Sequence, residues 1–135
     1  IHKYLDAGFD ENTTIELDDG RSIKIKDIEV NDTLRSGENV VGIVKIDCSD
    51  VAGLYEYNIN DNTFFYCTGN ILIKDLGNIN TFDLIPKNIK MAKFAYHLLT
   101  NTGSYVINGI RIGDYNTSIE KYLSSCSTNN LCLLE

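Results

Sequence analysis

Positive charge is scarce in this sequence. Twelve Lys and Arg stand against 19 Asp and Glu, a formal net charge of −7, which repels phosphate backbones and anionic lipid and argues against a nucleic-acid or membrane-surface partner. Long apolar runs are also missing. None approaches the roughly 18 residues of a spanning helix, and the opening IHKYLD has neither the apolar core nor the basic start of a secretory signal. The four cysteines, Cys48, Cys67, Cys126 and Cys132, form no C-x-x-C pair, so neither a zinc site nor a disulfide framework is indicated. This cysteine usage fits a reducing, cytoplasmic compartment, where the three N-x-[ST] sequons at Asn12, Asn31 and Asn116 carry no weight. There is no internal repeat and no low-complexity tract, and 135 residues suffice for one buried core but not for two comfortable domains.

What is present is a succession of short alternating segments. TTIELDDGRSIKIKDI places Ile15, Leu17, Ile23 and Ile25 in alternation around Asp19-Gly20, which predicts a β-hairpin. NVVGIVKID, GLYEYNI, TFFYCTG, NILIKDL, KMAKFAYHLLT and GSYVINGIRIGDY are β-branched and aromatic runs separated by Gly, Asn, Asp and Ser, and read as further strands. With Pro86 the single proline and no extended helical period before residue 114, the class is mostly β. The tail differs: DYNTSIEKYLSS offers Asp114 or Asn116 as an N-cap, and Ile119, Tyr122 and Leu123 fall on one face of a short amphipathic helix. CSTNNLCLLE beyond it has no period and reads as a loose terminus.

Four stretches in order resemble the blocks of the Hint superfamily, the inteins, hedgehog autoprocessing domains and viral intein-like domains. GFDENTTIELDDGRSIKIKDIEVNDTL resembles the opening block, YCTGNILI the second, and KFAYHLLTNTGSYVINGIRIGDY the last two with their Asn-Gly-Ile hairpin. The resemblance implies a horseshoe-like β fold that joins both chain ends at one site. It also implies autocatalytic protein splicing without a cofactor: an N-to-S acyl shift, transesterification, and cyclisation of a final asparagine. The partners would be the domain's own flanking polypeptides. The expected boundaries are an N-terminal flank at 1–6, the domain at 7–130, and a C-terminal flank or tag scar at 131–135.

Carried over residue by residue, the resemblance puts the first nucleophile at Ala7 or Gly8, neither of which can attack a carbonyl. This implies an inactivated precursor. Thr68 matches the second-block threonine expected to hydrogen-bond near the scissile amide, while the histidine position three residues later holds Ile71, which can neither donate nor accept a proton. Asn70 and the amides around Gly69 remain as carbonyl-polarising groups. His97, in AYHLL, falls on the family's reactive strand, where an imidazole titrating near pH 7 could act as a general base or acid. Cys67, adjacent to Thr68, points to the opposite face and reads as core; Cys48 reads as inert.

The far junction is open. Gly113 and Asp114 fall where the family's His-Asn pair would be. Asn116 followed by Thr117 offers an asparagine with a hydroxyl nucleophile, although Asn116 could equally be a helix N-cap. Asn130 makes a longer domain, with Cys132 or a removed residue as the acceptor; Cys126 is the other thiol near this end. Asp114 could instead end a domain that only cleaves its N-terminal flank. The turn Asp19-Gly20-Arg21-Ser22 is a polar break at which a very short N-terminal piece of a split domain could end. Ala7 to Ser22 carries five acidic residues against one arginine, so steering onto a complementary fragment is reasonable. Two other classes stand beside this reading: a degenerate fold kept as a binding or structural module, and an unrelated β domain binding a peptide at a sheet edge. A conventional cysteine hydrolase lacks a Cys/His pair placed by any motif.

Overall fold

The structure, a computed structural model, describes residues 7–48, 54–60, 63–74, 76–81, 87–90 and 92–129. Eleven strands, one α-helix and two short 3-10 helices are found among the described residues. The first hairpin forms where the alternation places it: β1 (Thr14–Glu16) and β2 (Ser22–Lys24) pair antiparallel with Ile15 opposite Ile23. Ile15 is buried while Thr14 and Glu16 face solvent, as a strand with one covered face requires.

The long strands carry the frame. β3 (Val40–Asp47) pairs with β9 (Phe94–Thr100), and β4 (Leu54–Asn60) lies between β5 (Thr63–Cys67) and β8 (Lys87–Lys90). A second sheet runs β10 (Ser104–Ile107), β11 (Ile110–Gly113), β6 (Leu72–Ile73), β7 (Gly77–Asn78). Its β10–β11 hairpin turns on Asn108 at φ 51° and Gly109 at φ 78°, with Ile107 opposite Ile110. That is the two-residue primed turn an Asn-Gly pair favours, because both central residues need positive φ.

The segment at residues 8–10 ties the frame together. Phe9 bridges Cys67 of β5 on one side and Tyr96 of β9 on the other. The Phe9 N–H donates to the Tyr96 carbonyl at 2.6 Å and the Tyr96 N–H to the Phe9 carbonyl at 2.8 Å. The Asp10 N–H reaches the Tyr66 carbonyl at 2.9 Å, and the Thr68 N–H donates to the Gly8 carbonyl at 2.9 Å. Successive backbone groups thus alternate between the two neighbours, as in a central strand. Residue 7 sits at the inner end of this segment.

Two apolar clusters result. The larger includes Phe9, Ile15, Leu34, Phe65, Cys67, Ile71, Leu98, Tyr105 and Ile112; the smaller gathers Ala7, Ile46, Cys48, Leu54, Ala95 and Tyr115. Each fully buried Leu, Ile or Phe contributes on the order of 1.5–3 kcal/mol. Both cysteine expectations that fall on described side chains hold as to burial: Cys67 is core, and Cys48 is buried with its thiol directed at the Ile46 carbonyl, 3.8 Å away.

The helix α1 (Tyr115–Asn129) is longer than the sequence suggests. It continues through Cys126, so the first residues of CSTNNLCLLE are helical rather than loose. Its N-cap is Asp114 and not Asn116, which lies inside the first turn. None of the described helices is long and apolar enough to cross a membrane.

Candidate functional site

Ala7 is fully buried among Ile46, Cys48, Leu54, Ala95 and Tyr115. The next residue explains why only one of the two expected positions can carry a side chain. A β-carbon built on Gly8 would stand 2.7 Å from the Ala95 β-carbon and 3.3 Å from the backbone of Ala95 and Tyr96. That is closer than van der Waals contact allows, and Ala95 has no flexible end to move. Gly8 is therefore glycine because β9 presses on it.

Thr68 holds the segment from the other side. Its Oγ1 accepts the Gly8 N–H at 2.9 Å and lies 3.4 Å from the Gly8 carbonyl oxygen, while its own N–H closes the bond to that carbonyl. The contact expected near the scissile amide is thus made one residue downstream of residue 7. The threonine is buried, so its bonds to Gly8 are shielded from water.

Ile71 is completely buried in the larger cluster, and its carbonyl accepts the Ile79 N–H at 2.7 Å. Asn70 lies in the turn after β5 and accepts from the Asn78 amide at 3.4 Å, which directs its oxygen to that neighbour. Gly69 is less confined than Gly8, with the Tyr57 hydroxyl 3.1 Å from where a β-carbon would be.

His97 departs most from the expectation of a group titrating near neutrality. It is fully buried on β9 opposite Val44, and burial pushes its pKa down to about 3, so the ring is neutral. The Leu98 N–H donates to Nδ1 at 3.0 Å and the Tyr105 hydroxyl lies 2.5 Å from the same nitrogen. Nε2 is buried and has no hydrogen-bond partner among the described residues. Phe9, Tyr105 and Tyr115 surround the ring edge to face, at centroid distances of 5.6, 5.6 and 5.8 Å. Burial keeps the phenols protonated as well: Tyr115 is pushed up to about 12, and Tyr105 well above its usual range.

The end of β11 delivers the last part. Asp114 is buried; its Oδ1 caps α1 by accepting the Thr117 N–H at 2.9 Å, and its Oδ2 accepts the Thr100 N–H at 3.0 Å. Thr117 donates its hydroxyl to the Gly103 carbonyl at 2.8 Å, and Asn116 is exposed. A side chain at Gly113 would require the end of Leu72 to shift, since its β-carbon would meet Leu72 Cδ2 at 2.9 Å. Asn130, the other proposed end, and Cys132 lie outside the described residues.

Gly8 and Thr68 therefore meet directly, with Ala7 the preceding residue of the same segment. Through Tyr115, which packs in Ala7's cluster and touches the His97 ring, the start of α1 and β9 join them. Asn70 accepts from Asn78, and Asn116 is exposed. Sequence reasoning missed Tyr105 and Tyr115; their only local signal is a tyrosine on a strand and another beside the helix cap. Among the described residues, no group of three or more His, Cys, Asp or Glu could hold a metal ion.

A mostly β chain whose first segment is paired between two central strands, and whose last strand delivers its end to the same place, has the intein, or Hint-type, fold. The crystal structure of gp41-1 intein is similar, with a TM-score of 0.58 over 80% of this chain and 98% of that one, at 15% identity. No family model and no curated protein matches the sequence. The likeness is one of fold.

Proposed function

We propose that this chain is an intein-like self-processing domain in which Ala7 occupies the position of the first nucleophile, so that the form with alanine is inactive. The reaction would be splicing: acyl transfer from nitrogen to a residue 7 thiol, transesterification, and asparagine cyclisation. One observation carries the assignment of position. Residue 7 is buried at the inner end of the paired segment, and residue 8 has no room for a β-carbon.

Thr68 would hold the Gly8 amide plane, fixing the angle at which the preceding carbonyl meets the thiol. His97 and Asp114 would link that point to the far junction, with Asn116-Thr117 or Asn130 supplying the cyclising residue. A split origin finds support in the exposed turn at Asp19 and Arg21, whose side chains are bonded to each other at 2.7 Å and not to the core.

A second reading, N-terminal cleavage alone, is favoured by the far junction. Asn116 is exposed inside α1, and Gly113-Asp114 stands where a His-Asn pair would be expected. Placing Ala7→Cys between two reporter proteins tests both. Ligated reporters mean splicing, and thiol- or hydroxylamine-dependent release of the N-terminal reporter alone means cleavage. If neither product forms, the fold serves as a binding or structural module.

A further inference from the structure

Thr68 reaches Gly8 from a loop that another stretch of chain holds in place. After β5 the chain passes through Thr68-Gly69-Asn70-Ile71 into β6, and residues 77–80 return alongside it. Within β6 and β7 the pairing is regular, with Leu72 opposite Asn78 and Ile73 opposite Gly77. It continues past the strand ends. The Ile79 N–H donates to the Ile71 carbonyl at 2.7 Å, and the Asn80 N–H to the Gly69 carbonyl at 3.2 Å. The returning arm, entering a 3-10 helix at Ile79–Thr81, is thus bonded to the residue directly after Thr68.

Side chains join the two arms as well. Ile71 and Ile79 are both fully buried in the larger cluster. A β-carbon on Gly69 would stand 3.1 Å from the Tyr57 hydroxyl and 3.2 Å from Asn80 Nδ2, so Gly69 lies between β4 and the 3-10 helix with little room to move. Ile71 stands where the resemblance leads one to expect an imidazole, and there it serves as an anchor. To release Thr68, the loop must give up both backbone bonds and the burial of two isoleucines, which makes local opening costly.

We propose that residues 77–80 are a splint for the Thr68–Ile71 loop, with Ile79 and Asn80 as positioning residues that fix Thr68, and through it the Ala7–Gly8 peptide plane. Thr68 passes the constraint on through its Oγ1, which accepts the Gly8 N–H at 2.9 Å, and its own N–H, which donates to the Gly8 carbonyl at 2.9 Å. The effect of the splint on a reaction rate rests on the self-processing reading, in which residue 7 must present its side chain at one angle. Neither 68–71 nor 77–80 contains an ionisable side chain, so the splint acts equally at every pH at which the chain is folded.

The test has two arms. In the 135-residue chain, Asn80→Pro removes the donor to Gly69 and should speed hydrogen exchange of the Gly8 amide by about tenfold or more, whereas Asn80→Ala, which keeps that donor, should change it by less than about threefold. Ile79→Val should speed Gly8 exchange more than Ile25→Val, a substitution at an equally buried isoleucine outside the splint, and this comparison decides the matter where Asn80→Pro does not fold. In a chain carrying Ala7→Cys, the chosen splint variant should slow thioester formation by the same factor at each pH across the neutral range. Combined with Thr68→Val it should slow the reaction little further, because both act through one contact. Unchanged Gly8 exchange in a folded Asn80→Pro chain overturns the proposal, as do equal effects of Ile79→Val and Ile25→Val, or rate losses that multiply in the double variant. An Ala7→Cys chain that forms no thioester sinks the self-processing reading, while the exchange arm still decides whether the splint holds Gly8.

Discussion

The α-carbon of Gly8 is directed at the methyl group of Ala95, leaving 2.7 Å where two β-carbons would have to fit. This contact locks the first described segment against β9. Gly8→Ala should destabilise the fold by about 1–3 kcal/mol, the usual cost of overpacking a rigid site. Urea denaturation measures it, and adding Ala95→Gly should recover a large part of the loss, since the two substitutions share one contact. Additive losses in the double variant would show that the contact is not the cause.

Thr68→Val keeps the shape of the side chain and removes the acceptor of the Gly8 N–H. A buried donor left without its partner costs about 1–3 kcal/mol. The same change should speed hydrogen exchange at the Gly8 amide, whereas Thr68→Ser should preserve protection. Equal exchange in both variants would mean that the 2.9 Å bond does not hold the segment.

Replacing Ile71 with histidine restores the residue type expected at that position but places it in an apolar core. Because Ile71 is fully buried, Ile71→His should lose about 2–4 kcal/mol in thermal or urea unfolding. With cysteine at position 7, it should bring no gain in thioester yield. A stable and faster Ile71→His chain would contradict the expectation that this buried position excludes an imidazole.

Acid should weaken the fold through His97. Its pKa falls from 6.5 to about 3 on folding, so below pH 6.5 the unfolded chain binds a proton that the folded chain refuses. The stability present above pH 6.5 is lost as pH falls from there towards 3, at up to about 1.4 kcal/mol per pH unit. His97→Gln should remove this component, seen as a shallower fall in unfolding free energy than the parent shows between pH 6.5 and 4. Parallel curves would refute it.

Asp114 uses one carboxylate oxygen for Thr117 and the other for Thr100. Asparagine has a single acceptor oxygen, so Asp114→Asn should cost about 1–2 kcal/mol and Asp114→Ala more, with loss of helical circular dichroism. An Asp114→Asn chain that is fully stable but blocked in processing would give the carboxylate a chemical role in place of a structural one.

The β class was legible in the chain because alternation and turn chemistry are local. Ile15, Leu17, Ile23 and Ile25 around Asp19-Gly20 define their hairpin without help from distant residues, and Asn108-Gly109 defines another. The short pairs β6–β7 and the strand β8 were not legible, since two to four residues carry too little period to stand out. The helix was visible at its start and not in its full length, because Cys126 to Asn129 add no apolar stripe.

Of the residues expected at the site, the structure sets Gly8 against Thr68, Ala7 in one cluster with Tyr115, and Tyr115 against His97 and next to Asp114, while Asn116 is exposed. The sequence by itself determined the mostly β class and the hairpins at Asp19-Gly20 and Asn108-Gly109, through side-chain periodicity and backbone preferences that act over a few residues. Only the tertiary structure decided that residue 7 rather than residue 8 has room for a side chain, that His97 is buried and neutral, and that Asp114 caps α1. Each of these depends on close packing or a hydrogen bond across the fold, such as the Gly8–Thr68 bond spanning 60 positions, and no local pattern encodes which distant surface will press against a given residue.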